Sequence, residues 1–238
     1  MTVTKTNRKT GGIEIFFQKV FGLMAAAVGV TALTTFIAHQ AGVLDSLMLV
    51  NVFGVPTKLT ATYYIIAFGA LGLSLWAQFR AFSMKPSTAA ILLFLYSILI
   101  GVTLLPLISI SNTETVLIAL GLAAVMFVCM ALFGYKTVKN LSFLGTFLFM
   151  GMIGLILVGI ISIFTGPFGV VFNQIICLFG VLIFALFTAY DMQSLKNAYY
   201  TLGNGNQKNQ LAVLGALHLY ISFVAMFEYI LSLLNSRD

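Results

Sequence analysis

One carboxylate stands out because of the residues that precede it. Between Lys139 and Asp191 the chain contains no Asp, Glu, Lys, Arg or His. A carboxylate inside a membrane span costs about 2.5–3.5 kcal/mol at mid-bilayer and less near an end, so each one calls for a partner or a role. Asp191 is therefore a candidate ion or proton site. The alternative is an acid at the membrane interface that is solvated or paired with Lys196, although a helix C-terminus disfavours a negative charge.

Four further polar residues could do chemistry with Asp191. His218 and Ser222 are one helical turn apart, and Glu228 lies about 120° around that helix from Ser222. Glu228 could instead pair with a polar group of another helix, and His218 could be a hydrogen-bonded core residue. Arg80 closes an apolar run, where it is either a latch for Asp191 or an ordinary cytoplasmic anchor.

Signatures of catalysis and of bound cofactors are missing. The sequence has no HExxH zinc motif, no GxSxG nucleophile and no glycine-rich nucleotide loop. His218 and Ser222 alone are weak support for an intramembrane protease. Cys129 and Cys177 lack metal-ligand spacing and are expected to be buried small hydrophobes. We expect no enzyme activity, no cofactor and no firm metal site, apart from a calcium contact at Asp191.

The composition shows what surrounds these residues. Hydrophobic residues make up 61% of the 238 residues, charged residues make up 8%, and the mean hydropathy is +1.07. Soluble domains average roughly 25% charged residues, so this chain is predicted to lie in a lipid bilayer. The net charge is +6, but the basic residues sit in short loops and form no continuous face, so nucleic acid is not expected as a partner.

The apolar runs predict an all-α integral membrane protein with a bundle of seven transmembrane helices. Helices are the spanning element because their backbone groups are satisfied without water. A short polar cytoplasmic tail, residues 1–16, precedes one membrane domain, residues 17–238. Small residues at helical spacing, Gly22/Ala26, Ala25/Gly29 and Gly151/Gly154, are expected to allow close helix packing. The spans are predicted at about 17–38, 59–79, 87–109, 114–134, 142–164, 170–192 and 211–234.

The positions of Lys and Arg predict the orientation. Such residues are retained on the cytoplasmic side, and ten of the twelve fall in the N-terminal tail, at the start of the first span (Lys19) or in loops after even-numbered spans. The N-terminus is thus predicted in the cytoplasm and the C-terminus outside. The ten residues are Lys5, Arg8, Lys9, Lys19, Arg80, Lys85, Lys136, Lys139, Lys196 and Lys208.

Four stretches of the sequence are informative when taken together: FFQKVFGLMAAAVGVTAL (16–33), GVTLLPL (101–107), KNLSFLGTFLFMG (139–151) and FTAYDMQSLK (187–196). They resemble the Bax inhibitor-1 family, the proteins with a transmembrane Bax-inhibitor motif, and in particular its bacterial branch. The resemblance implies seven helices with the last enclosed by the others, a bacterial inner membrane, and a proton-sensitive calcium leak. In that mechanism two aspartates share a proton. Asp191 stands in place of the first, as gate and cation site, with Arg80 as the latch.

The chain departs from this pattern at the second aspartate. The family's Leu-Tyr-Leu-Asp is Leu219-Tyr220-Ile221-Ser222 here, so no proton-sharing pair can form at that place. Glu228 is about 9 Å further along the helix, on another face. His218 could supply pH sensitivity by a different mechanism. This serine and the ending LSLLNSRD resemble the branch that modulates a membrane-bound AAA protease, which engages the N-terminal tail. Two functions therefore stay open, a cation leak and a protease modulator or stress regulator.

Overall fold

A computed structural model describes residues 3–44, 48–50, 56–79, 85–165, 169–203 and 205–236. Eight helices and one antiparallel strand pair make up the described part of the chain. The helices are α1 (Val3–Gln40), α2 (Ala61–Phe79), α3 (Pro86–Thr103), α4 (Leu105–Ser109), α5 (Thr113–Lys136), α6 (Ser142–Thr165), α7 (Val170–Thr201) and α8 (Gly205–Asn235); the strands are β1 (Met48–Val50) and β2 (Pro56–Leu59).

The helices confirm a helical membrane protein. Six stretches are long and apolar enough to cross a bilayer: Gly12–Gln40, Pro86–Ser109, Thr113–Lys136, Ser142–Thr165, Val170–Thr201 and Gly205–Asn235. The predicted second span corresponds to α2, whose described apolar part, Ala61–Ser74, is shorter. Seven spans and the orientation of the termini therefore stay predictions.

Two local features differ from the sequence-based expectation. Helix α1 begins at Val3, so the backbone of most of the segment expected as a polar tail is helical and continues into the first span. The strand pair, with Met48 opposite Leu59, was not predicted. Its strands have three and four residues, which is too short for a clear alternating pattern in the sequence.

A proline explains why the third span consists of two helices. Pro106 has no N–H to donate to the carbonyl of Val102, and α3 ends just before Leu104. A hydroxyl from α1 bonds to the neighbouring carbonyl, since Thr35 Oγ1 donates to the carbonyl of Gly101 at 2.7 Å. Thr31 makes the same type of bond to Ser97 O at 3.1 Å. These two hydroxyls join α1 to α3, close to the point where the third span is interrupted.

The chain divides into two compact units. One comprises Met1–Ile110 and Ala198–Leu217, and the other comprises Ser111–Asn197 and His218–Asp238. In the second unit the α5 and α7 backbones touch, since a Cβ added at Gly134 would lie 2.7 Å from Ala189 Cα. Helix α6 in the same unit is largely exposed, with Phe143 and Phe164 each 84% exposed, as expected for a helix that faces lipid.

Candidate functional site

Asp191 lies inside α7 and not at its end. The predicted sixth span ended near residue 192, but α7 continues to Thr201. The dipole of a helix end therefore does not act on Asp191 as the sequence suggested. Its side chain is half-buried, and it forms no hydrogen bond or salt bridge with any described residue. One turn earlier, the hydroxyl of Thr188 is buried and donates to Phe184 O of the same helix at 3.0 Å.

Lys196 does not pair with Asp191. Its ammonium donates to the carbonyl of Tyr135 at 2.7 Å and lies 5.2 Å from the centroid of the Tyr135 ring. Five residues along a helix correspond to a rotation of about 140°, so Asp191 and Lys196 project from different sides of α7. The alternative of an Asp191–Lys196 ion pair is therefore wrong.

Gln193 holds the loop between α5 and α6. Its amide nitrogen donates to Lys139 O at 2.7 Å, and its amide oxygen accepts from Leu141 N at 2.8 Å. Sequence analysis missed this role, because a lone glutamine two residues after Asp191 carries no recognisable spacing signal. Gln193 therefore binds this loop to α7, and Lys196 binds the last turn of α5 to α7.

The first prediction concerns the hydrogen bonds of Gln193 to the loop, which we call the clamp. Gln193→Ala removes the hydrogen bonds to Lys139 and Leu141 and a longer one to Thr137 O at 3.5 Å. Trypsin is expected to cleave after Lys139 several times faster in this variant because the loop opens more often. The measurement is a time course of trypsin digestion of vesicles that expose this loop. Gln207→Ala, at an exposed position of α8, is the matched control. Equal cleavage rates in the wild type and Gln193→Ala would show that the clamp does not restrain the loop.

Contacts between α7 and α8 establish how the two helices are aligned within the second unit. Gln174 Nε2 donates to Ser236 O at 3.2 Å, Cys177 Sγ lies 3.4 Å from Ser232 Oγ, and the rings of Phe184 and Tyr229 stack at 6.0 Å. Rising numbers on α7 meet falling numbers on α8, so the pair is antiparallel. Continued along both helices, this register brings Asp191 to the height of residues 218–222.

The same register separates Asp191 from Glu228. Glu228 falls level with residues 181–185 of α7, which is roughly 9–15 Å from Asp191 along the helix axis. Helix α8 runs without a break from Gly205 to Asn235, so no irregularity shortens that distance. Glu228 is half-buried and has no hydrogen bond or ion pair with a described residue. The two acids are therefore too far apart to share a proton directly.

One stripe along helix α8 is less buried than the rest of the helix. Tyr220 and Met226 are fully buried, whereas His218, Ile221, Ala225 and Glu228, spaced three or four apart, are all half-buried. Ser222 belongs to the buried side, at 3% exposure. His218 and Glu228 therefore share the accessible stripe, and Ser222 does not.

The predictions for Arg80, Cys177 and Cys129 compare differently with the structure. Arg80 lies outside the described residues, so its role as a latch stays a prediction. Cys177 is buried as expected and contacts Ser232, but Cys129 is exposed. The expectation for Cys129 was wrong because an apolar run alone does not distinguish a side chain that faces lipid from one that faces protein.

Comparison with known proteins gives matches along almost the whole chain. The profile of the family described as inhibitor of apoptosis-promoting Bax1 matches residues 14–238. A protein of Caulobacter vibrioides is 35% identical over 222 residues, covering 93% of this chain and 88% of the relative. The inner membrane protein YbhL of Escherichia coli K12 is 30% identical over 229 residues, covering 95% of this chain and 93% of the relative. A membrane protein of Streptococcus pyogenes is 30% identical and covers 95% of both chains.

The names of these relatives and the apolar helices of this chain indicate the same cellular location. The chain is a multi-pass protein of a bacterial inner membrane.

Proposed function

Because this chain belongs to the family of the inhibitor of apoptosis-promoting Bax1, we propose that it is a pH-sensitive leak for cations, with calcium as the principal ion, and that Asp191 is its cation site. The proposal includes seven spans, with α2 as the second, a cytoplasmic N-terminus and an external C-terminus. It assigns the chain no enzymatic reaction.

The unpaired state of Asp191 carries the proposal. Carboxylate oxygens are preferred ligands of calcium, and an acid inside a span is retained when it binds or protonates something. Its near neighbour in sequence, Lys196, is held by Tyr135, so no described base neutralises the carboxylate. A cation can therefore meet an acid whose oxygens are free of other described partners.

A single acid gives the leak a simple dependence on pH. A proton and a cation compete for the same carboxylate, so flux falls as the pH is lowered. Glu228 is too far along the axis to share that proton, and Ser222 has no carboxylate. The response is therefore expected to lack the steepness of a coupled pair of acids.

Flux in reconstituted vesicles tests the proposal. Purified protein is incorporated into liposomes that contain a calcium-sensitive dye, and calcium entry is followed from mildly acidic to mildly alkaline buffer. We expect calcium to enter faster than it enters protein-free liposomes, and to enter more slowly in acidic than in alkaline buffer. Entry equal to that of protein-free liposomes at every pH would refute the leak.

The second prediction concerns a variant that restores the missing acid. Ser222→Asp adds a carboxylate at the height of Asp191, where two like charges in a low dielectric hold one proton between them. Calcium entry in this variant is expected to fall more steeply with acid than in the wild type. Ser222→Asn is the matched control, since it adds similar volume without charge. A pH profile that is identical in all three proteins would contradict the register of α7 and α8.

A non-transporting role is the second candidate, as a modulator of a membrane-bound AAA protease or of membrane stress survival. Ser222 favours it, because a buried hydroxyl stands where the family's leak mechanism has its second acid, and Glu228 is too far along the helix to replace that acid. The test is co-purification of a AAA protease with the full chain and with a chain that lacks residues 1–12. Loss of the protease on deletion supports the modulator, whereas absence of the protease from both samples removes it.

A further inference from the structure

Two lysines in the first unit are held by neutral groups. Lys19 Nζ donates to Asn209 Oδ1 at 2.8 Å, and Lys208 Nζ lies 4.2 Å from the centroid of the Tyr199 ring. We call Lys19, Lys208, Asn209, Tyr199 and Tyr200 the basic–aromatic patch. An amide oxygen and an aromatic ring orient an ammonium group without cancelling its charge.

The charges of the patch remain available to an anion. Neither lysine forms a salt bridge with a described acid. Lys19 and Asn209 are exposed, and Tyr200 is 58% exposed. The described acid nearest to Lys19 on the same helix, Glu14, forms no salt bridge with either lysine. An incoming ligand therefore meets fixed positive charge and has no described carboxylate to displace.

The patch lies where three apolar helices begin or end. Phe16, near the start of the first apolar span, packs against Tyr199 with ring centroids 5.0 Å apart. A Cβ added at Gly12 would lie 2.7 Å from Tyr199 Oη, so α1 passes close to the end of α7. Helix α7 ends at Thr201 and α8 begins at Gly205. The ends of spans lie at the boundary between lipid and water, where tyrosine rings are enriched.

We propose that the basic–aromatic patch binds the phosphate headgroup of an anionic phospholipid. The lysines supply charge, Tyr200 supplies an interfacial ring, and the apolar helices that start beside the patch supply contacts for the acyl chains. A lipid fits better than a soluble anion because the patch adjoins Gly12–Gln40, a stretch long and apolar enough to cross a bilayer. The site is independent of ion transport, so it stands or falls separately from the leak.

Native mass spectrometry of the full chain tests the lipid site. The purified protein is incubated in detergent with phosphatidylglycerol or with phosphatidylcholine, and the bound lipids are counted. The wild type is expected to retain phosphatidylglycerol in preference. The double variant Lys19→Gln/Lys208→Gln is expected to bind phosphatidylglycerol about thirtyfold more weakly, the factor that two basic contacts near an anionic membrane surface contribute.

Three controls make the outcome decisive. Lys136→Gln/Lys139→Gln makes the same charge change at two exposed lysines of the other unit and is expected to bind as the wild type does. Lys19→Arg/Lys208→Arg keeps the charge and is expected to retain the lipid, which separates lost charge from lost folding. Inorganic phosphate is expected not to displace the lipid. Three outcomes would each overturn the proposal. The Lys19→Gln/Lys208→Gln variant could bind as the wild type does, the Lys136→Gln/Lys139→Gln variant could lose as much binding, or phosphate could displace the lipid fully.

Discussion

Replacement of Asp191 by Asn is expected to reduce calcium entry into liposomes to that of protein-free vesicles. The amide has the shape of the carboxylate but no charge, so it offers a cation one carbonyl oxygen in place of two anionic ones. Asp191 forms no hydrogen bond or ion pair with a described residue, so the substitution breaks no described contact. The folded structure should therefore survive the change, and the effect should appear in flux alone.

Glu228→Gln is the matched control for this experiment. It makes the same chemical change at the other half-buried acid of the second unit, roughly 9–15 Å from Asp191 along the helix axis. Calcium entry is expected to stay near the wild-type rate. If Asp191→Asn conducts as the wild type does, the cation does not use this carboxylate. If Glu228→Gln alone abolishes entry, the acid of the leak has been assigned to the wrong helix.

Gly134→Ala is expected to lower the melting temperature in detergent by about 5 °C. The added Cβ would clash with the carbonyl oxygen of Ala189 and would lie 2.8 Å from its carbonyl carbon. These are backbone atoms, so no side-chain rotation relieves the clash and α5 and α7 must separate. Asp191 is two residues beyond Ala189, so a shift of α7 is expected to slow calcium entry as well.

Gly121→Ala, on the same helix, separates this clash from a general effect of alanine. A Cβ added at Gly121 has no described atom within 4 Å. Because Ala favours a helix by about 1 kcal/mol over Gly, this variant is expected to melt at the wild-type temperature or slightly above it. Equal melting temperatures for Gly134→Ala and the wild type would mean that the α5–α7 contact is not close in the membrane.

The sequence predicted helices well and their contacts poorly. Long apolar runs locate the spans because lipid imposes length and composition on them. The same runs are apolar on every side, so they do not show which side meets protein. Of the glycines singled out for close packing, Gly151 does have a close neighbour, since an added Cβ would lie 2.9 Å from Ile183 Cδ1. Gly22, Gly29 and Gly154 have no described neighbour within 4 Å of an added Cβ, and Gly134, which has one, was not identified.

At the candidate site, too, the sequence indicated which residues matter but not what they contact. The charge-free run before Asp191 was enough to select that residue as a candidate, and its role stays a prediction. Its surroundings depend on contacts distant in sequence: Lys196 reaches Tyr135, and Gln193 reaches the loop at Lys139 and Leu141. Helical spacing placed His218 and Ser222 on one face, but only the folded chain shows that Ser222 is buried while His218 and Glu228 are partly accessible.

Infrared difference spectroscopy tests most directly whether Asp191 binds the cation. Spectra of the reconstituted protein are recorded in calcium and in sodium, and the carboxylate stretching bands are compared between the wild type, Asp191→Asn and Glu228→Gln. The account predicts a calcium-dependent carboxylate band that persists in Glu228→Gln and disappears in Asp191→Asn. A band of unchanged intensity in Asp191→Asn would contradict it.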